Sequence, residues 1–256
     1  MQKIFDAHIH LWDLNQVSIP WLKFNECLNK NFVYEDMIKK YQDFDLIGAM
    51  YVEVDSDDKD SEASFALNLQ KLYGLKLCLA NINYKDEISA FREVLHTSIK
   101  GAKRLLDKDF LQILKDLEKE NLVFEACVKN EEIYMLESTL KAYPKLKICL
   151  NHFGTPNQKH LKEYKEILEK FSHYPQLFIK LSAPDNFLQE APKDFLFEIF
   201  TFLKDCFSEE RLLFGSNFPV AKLSPKEWAN LIIQSEVFEN LDGIFYKNAL
   251  NLYKRS

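Results

Sequence analysis

The chain has 256 residues, 47% of them apolar, which is enough for a sizeable core and too many for global disorder. Its formal net charge of −6 offers no basic footprint for nucleic acid and no polybasic patch for a membrane, though a locally basic pocket for an anionic substrate stays compatible with it. Five cysteines with no metal-type pairing, no signal pattern and no apolar run near the roughly 20 residues that span a bilayer predict free thiols and a cytoplasmic protein.

Ile4–Ile9 reads as a short buried strand leading into Asp6-Ala7-His8-Ile9-His10-Leu11-Trp12. Alternation along a strand would put Asp6, His8 and His10 on one face and Phe5, Ala7 and Ile9 on the other. Imidazoles at alternate positions are roughly 6.5–7 Å apart at the backbone, so both can converge on one ion or one water. Burying such a pair without a ligand is costly. Trp12 to Asn31 shows no period, holds Pro20-Trp21-Leu22, and reads as a loop long enough to fold over a site.

From there, helical and strand-like stretches alternate. A helix is expected over Tyr34–Phe44, a strand over Leu46–Val54 ending at Glu53, and a helix over Ser61–Tyr73 stopped by Gly74. The third strand is expected over Lys76–Asn83, the next helix over Asp86–His96, and the fourth strand over Ile99–Leu106. Helix Asp109–Glu120, strand Leu122–Val128, helix Asn130–Tyr143 and strand Leu146–His152 follow. Then come helix Gln158–Phe171, strand Leu177–Ser182, helix Pro192–Cys206, strand Arg211–Asn217, and helices Pro225–Gln234 and Lys247–Lys254. Eight strands alternating with helices, without repeat or linker, predict an α/β protein built as one (β/α)8 TIM barrel over residues 1–256. A doubly wound open sheet is the alternative, and it would usually want a Gly-rich phosphate loop that the six glycines do not supply.

Barrel sites lie at the C-terminal strand ends. There the sequence offers His8, His10, Glu53, Asn81, Asn83, Lys103, Arg104, Glu125, Asn151, His152, Lys180, Ser182, Ser216 and Asn217. The collection is rich in imidazole and cations, as a site for a carbonyl or carboxylate would be. Each also has a plainer reading: His152 a satisfied core histidine, Lys180 a snorkelling side chain, Asn217 a helix cap. His96, His160 and His173 read as surface residues, and Glu125 and Cys127 as barrel wall. Cys78, Cys127 and Cys149 sit in apolar runs, as small buried hydrophobes do.

Five motifs occur in order: Asp6 to Trp12, Pro20-Trp21-Leu22, Asn151-His152-Phe153-Gly154-Thr155-Pro156, Lys180-Leu181-Ser182, and Phe214-Gly215-Ser216-Asn217-Phe218-Pro219-Val220. Together they resemble the amidohydrolase-2 branch of the amidohydrolase superfamily, nearest to its L-fuconolactonase-type sugar-lactone hydrolases and its pyrone dicarboxylate lactonases. The likeness extends to Asn248-Ala249 and Leu252-Tyr253. It implies a distorted barrel, catalytic roles for His8, His10, His152 and Asn217, and substrate contacts from Trp12, Trp21, Glu53, Lys103 and Lys180.

Two departures bear on the chemistry. Relatives usually carry Asp-His where this chain has Asn151-His152, and Gly-Ser-Asp-Trp-Pro where it has Gly215-Ser216-Asn217-Phe218-Pro219. That second aspartate is the family's water-activating base, and an amide cannot take a proton near neutral pH. By strand order, His152 and Glu53 are the candidate replacements. The lost carboxylate also argues against two ions, leaving no metal or a single zinc on His8, His10 and His152. The expected function is opening of a small sugar-acid lactone by water. A carbon–carbon lyase (decarboxylase) on the same barrel and a non-catalytic binding relative are the alternatives. The expected partner is a small molecule, and a homo-oligomer is open.

Overall fold

A computed structural model of the chain describes residues 1–185 and 193–255. Its centre is one eight-stranded parallel sheet in sequential order: β1 (Gln2–Ile9), β2 (Phe44–Val52), β3 (Lys76–Leu79), β4 (Ala90–Phe91), β5 (Val123–Ala126), β6 (Ile148–Leu150), β7 (Leu177–Leu181) and β8 (Leu212–Phe214). The sheet curls until β8 meets β1. Beyond β8 the seam is tied by Asn217 N–H to His8 O at 2.8 Å and by His10 N–H to Phe218 O at 2.7 Å. Helices α1 (Tyr34–Ile38), α2 (Lys59–Tyr73), α3 (Lys108–Lys119), α4 (Leu136–Ala142), α5 (Leu161–Ser172) and α6 (Lys193–Phe207) intervene, and α7 (Pro225–Gln234) and α8 (Asn248–Leu252) follow β8. This is the expected (β/α)8 TIM barrel. Pro192, the expected start of α6, lies outside the described residues. No helix among the described residues is long and apolar enough to cross a membrane.

Apolar side chains separate into two clusters, as alternation on a closed sheet requires. The larger holds Tyr51, Phe91, Phe124, Ile148, Ile179 and Phe214 with the helices, while the smaller holds Phe5, Met50, Cys78, Ala90, Val123 and Cys149 inside the barrel. Tyr253, just past α8, joins the inner cluster. All five cysteines are free thiols.

Two expectations are corrected. Strand four is the two-residue Ala90–Phe91, inside the run read as a helix, and Gly101–Leu106 is a 3-10 helix. Of the apolar side chains in Ile99–Leu106 only Ala102 and Leu105 are buried, docking that helix on the barrel, while Ile99 and Leu106 stay exposed; the run does not build a strand. Ala90 pairs with Cys78 and Val123, which fills the gap between β3 and β5. In β1, Asp6 pairs with Ala49 and Ile9 with Tyr51, so three steps on one strand match two on the other. This bulge breaks the simple alternation. Phe5 and Ala7 therefore join the inner cluster and Ile9 the outer one.

Candidate active site

The bulge turns Asp6 away from the two histidines it was expected to accompany. Its carboxylate accepts from the backbone N–H groups of His8 and Ser216, both at 2.9 Å, and from the Tyr41 hydroxyl. Burial raises the Asp6 pKa while these donors oppose the shift. Asp6 thus staples β1 to the segment after β8 and aims His8 and His10. Gly215 completes the seam, because a Cβ there would sit 2.8 Å from the Cβ of His8.

The three imidazoles expected from β1 and β6 come together at the C-terminal mouth. Ring centroids lie 4.9 Å apart for His8 and His10, and 4.8 Å for His8 and His152. His10 donates Nδ1–H to Val52 O at 2.9 Å, so its Nε2 bears the lone pair. The Asn217 side-chain amide lies 3.2 Å from that nitrogen and can turn its NH2 toward it. His152 contacts the Ser182 hydroxyl through Nδ1 at 2.8 Å.

His152, Phe153, Thr155 and Asn217 all have left-handed backbone, with φ of 53°, 60°, 50° and 60°. Non-glycine residues seldom adopt it, and it clusters where side chains are held for function. Phe153 packs on Phe200 and Trp228, and its carbonyl accepts from the Tyr164 hydroxyl at 2.7 Å, which fixes the turn that presents His152.

Arg92, directly after β4, is the group the sequence reading missed. It donates Nε–H to Glu53 Oε1 at 2.6 Å and Nη2–H to Glu53 O at 2.7 Å, and its Nη1 lies 3.4 Å from His8 Nε2. Burial alone would raise the Glu53 pKa, but Arg92 and Lys59 hold it below the usual carboxylate range. Glu53 is therefore a tether for Arg92 and is no free base. Lys180 forms the matching pair with Glu125 at 2.6 Å, with both side chains fully buried. Glu125 also accepts from Asn151 and from the Tyr253 hydroxyl.

The cavity above these groups has a volume of about 440 Å³. His10, His152, Asn217, Arg92 and Trp21 line it, with Val54, Val94, Val128 and Val220 supplying apolar wall. His96, Thr97, Cys127, Lys129 and Thr155 complete much of the rim. Of the expected substrate contacts only Trp21 lines the cavity, its indole N–H held by Val54 O at 2.8 Å. Trp12 is buried edge-on against Trp21, with ring centroids 6.2 Å apart. Lys103 is exposed on the Gly101–Leu106 helix, because strand four ends elsewhere, at Arg92. Glu53 and Lys180 lie beneath the floor as ion pairs. Arg92 was hidden in a run of helical appearance; its only signal was one cation closing Ser89-Ala90-Phe91.

Burial first, then the neighbouring cations, keeps these imidazoles neutral. The His10 pKa is lowered to about 4 by burial and Arg92, and those of His8 and His152 lie well below the ordinary value. Arg92 can only donate, so the His8 Nε2 that it faces is a lone pair and the His8 proton sits on Nδ1. That Nδ1 is buried without a hydrogen-bond partner. Two bare Nε2 atoms, of His8 and His10, then face each other at 3.2 Å.

That spacing suits two imidazoles on one ion, but the rest of the donor set does not fit a divalent metal. A guanidinium contacts one of the two nitrogens, residue 217 is a neutral amide, and Glu53 and Glu125 are engaged by cations. Among the described residues no three His, Cys, Asp or Glu side chains are gathered as a metal site.

Fold and site together define a (β/α)8-barrel protein with polar machinery at the C-terminal mouth. The sequence profile of the amidohydrolase family (Amidohydrolase) matches residues 87–255, and the chain belongs to that family. It is similar to the uncharacterized protein y4mH of Sinorhizobium fredii, with 21% identity over 98% of each chain. Solved structures of the same fold include amidohydrolase 2 from Bifidobacterium longum subsp. infantis, with a TM-score of 0.79, 23% identity and all of both chains covered. A zinc-bound amidohydrolase from Burkholderia multivorans aligns with a TM-score of 0.84, 17% identity and 99% of each chain covered. A third, named a putative 2-pyrone-4,6-dicarboxylic acid hydrolase, from Pseudomonas putida, gives 0.80 at 17% identity over 99% of this chain and 98% of that one.

Proposed function

We propose that the chain hydrolyses a small cyclic ester, of the sugar-acid lactone or pyrone lactone kind, by direct attack of water on the ring carbonyl. The observation that carries this reading is the meeting of the His8 and His10 Nε2 atoms at 3.2 Å beside the Asn217 amide, which the tautomers argued above leave with two facing lone pairs. Two lone pairs that close repel until a proton lies between them, so the pair gains by sharing one taken from water. It supplies the base that an amide at residue 217 cannot. Asn217 then orients the water. Arg92, tethered through Nε and Nη2, keeps Nη1 toward the imidazoles to stabilise negative charge developing on the carbonyl oxygen. The apolar walls favour a compact, largely unionised ring.

The name carried by the Pseudomonas putida relative supports a lactone as the bond broken. The zinc of the Burkholderia multivorans relative is not carried over, because the donor set here does not suit it. A panel of sugar lactones and pyrone lactones, read with a pH indicator, tests the proposal. Acid release by the wild type and its loss in His10→Ala are expected. Carbon dioxide release from an aromatic carboxylate would point to a lyase, and thermal stabilisation by ligand without turnover to a binding relative.

A further inference from the structure

The cavity holds a thiol–imidazole contact that the hydrolytic step leaves unused. Cys127, just after β5, and His96, in the segment after β4, both line it, and Cys127 Sγ is 3.2 Å from His96 Nδ1. Burial pushes the Cys127 thiol up to about 11 against the pull of Arg92, and desolvation with Arg92 brings the His96 imidazole down to about 4. At neutral pH the pair is therefore a thiol and a neutral ring. An imidazole nitrogen is a good acceptor and a thiol sulfur a weak one. The S–H thus donates to Nδ1, and the ring proton sits on Nε2, which has no protein partner among the described residues. His10 is the opposite tautomer, donating from Nδ1 and bare at Nε2. One cavity therefore carries an accepting imidazole and a donating one.

We propose that Cys127 and His96 form a proton relay that protonates the departing ring oxygen. The inference rests on the lactone reading. As the bond between carbonyl carbon and ring oxygen breaks, its electron pair leaves with the oxygen. The Nε2 proton of His96 passes to that oxygen, which becomes the product hydroxyl, and the Cys127 thiol proton moves to Nδ1. The Nδ1 proton then returns to the thiolate, and Nε2 is reprotonated through cavity solvent by the proton that His8 and His10 took from the attacking water. Only the ionisation of the product acid remains. An alkoxide approaches hydroxide in basicity, far above the thiolate of a thiol at about 11, so the transfer runs downhill.

The test compares two lactones, one releasing an alkyl alkoxide (γ-butyrolactone) and one a phenoxide (dihydrocoumarin), which needs far less help from an acid. In His96→Ala and Cys127→Ala the alkyl-to-aryl ratio of kcat is expected to fall by about 10². Cys127→Ser, which keeps a donor for Nδ1, is expected to fall less. An equal loss on both substrates overturns the relay and leaves the hydrolase reading standing, whereas no turnover of either by the wild type overturns both. Nitrogen-15 NMR of histidine-labelled wild type gives a check independent of turnover. His96 protonated at Nε2 supports the relay, and His96 protonated at Nδ1 overturns it.

Discussion

Arg92 and Glu53 act as one unit, so their substitutions should couple. Arg92→Ala leaves a carboxylate with no exposure facing a single half-exposed lysine, Lys59. Breaking a buried pair from one side costs about 3–5 kcal/mol, and urea unfolding should show that loss. The double variant Arg92→Ala with Glu53→Gln should recover part of it, which purely additive losses would contradict. His10 makes a second prediction. With its pKa lowered to about 4, the acid limb of the pH–rate profile should lie near pH 4 and not near the ordinary histidine value. Asn217→Asp would set a carboxylate beside Nε2, where the amide now lies at 3.2 Å. That charge favours the imidazolium and should move the acid limb upward. A limb that stays in place in the variant would show that some other group takes the proton.

At the scale of elements, the seam between β1 and the segment after β8 depends on close approach of two backbones. Gly215→Ala places a methyl group 2.8 Å from His8 Cβ and 3.3 Å from Ser182 Cβ, in backbone that cannot swing aside. A cost of about 1–3 kcal/mol is expected from such overpacking, with turnover falling further than stability because His8 itself must shift. A thermal melt and a lactone assay on one preparation check both parts. The same scale explains what could be read from the chain. Long periodic segments such as α2, α3 and α5 and apolar runs such as β2 and β7 declare themselves, and with them the barrel and the strand-end histidines. β4 has two residues, too few for alternation to register, and its position is set by pairing with Cys78 and Val123. The error there carried the expected substrate cation to Lys103 and hid Arg92. His96 and Cys127 were legible as residue types but not as neighbours, because 31 positions separate them. The β1 bulge was equally invisible, since register is a property of two strands together.

For the whole molecule, the neutral buried imidazoles set how stability responds to acid. The unfolded chain binds protons at these residues near the ordinary histidine pKa of 6.5, whereas folded His10 resists until about 4. The unfolded state therefore binds more protons in that window, and stability falls as pH drops from about 6.5 toward about 4. His8 and His152, lowered for the same reason, add to the slope. Denaturation midpoints between pH 7 and pH 4 should show the decline, and it should be shallower in His10→Gln. The inner core ends at Tyr253, whose hydroxyl reaches Glu125, the carboxylate that holds Lys180. Tyr253→Phe removes one donor from that buried carboxylate and should cost about 1–3 kcal/mol.

The seam also governs when the protein can come into being. Asp6 and Ser216 N–H, which it joins, are 210 positions apart. At the roughly 5–20 residues made each second on a ribosome, the first strand waits about 10–40 s for its last neighbour. Through that interval one edge of β1 has β2 to pair with and the other has nothing, which leaves a template for stray strands. His8 and His10 are meanwhile solvated, with the ordinary basicity of free imidazole. A nascent chain stopped before Ser216 should therefore be sticky and depend on chaperones, and one released beyond Tyr253 should not.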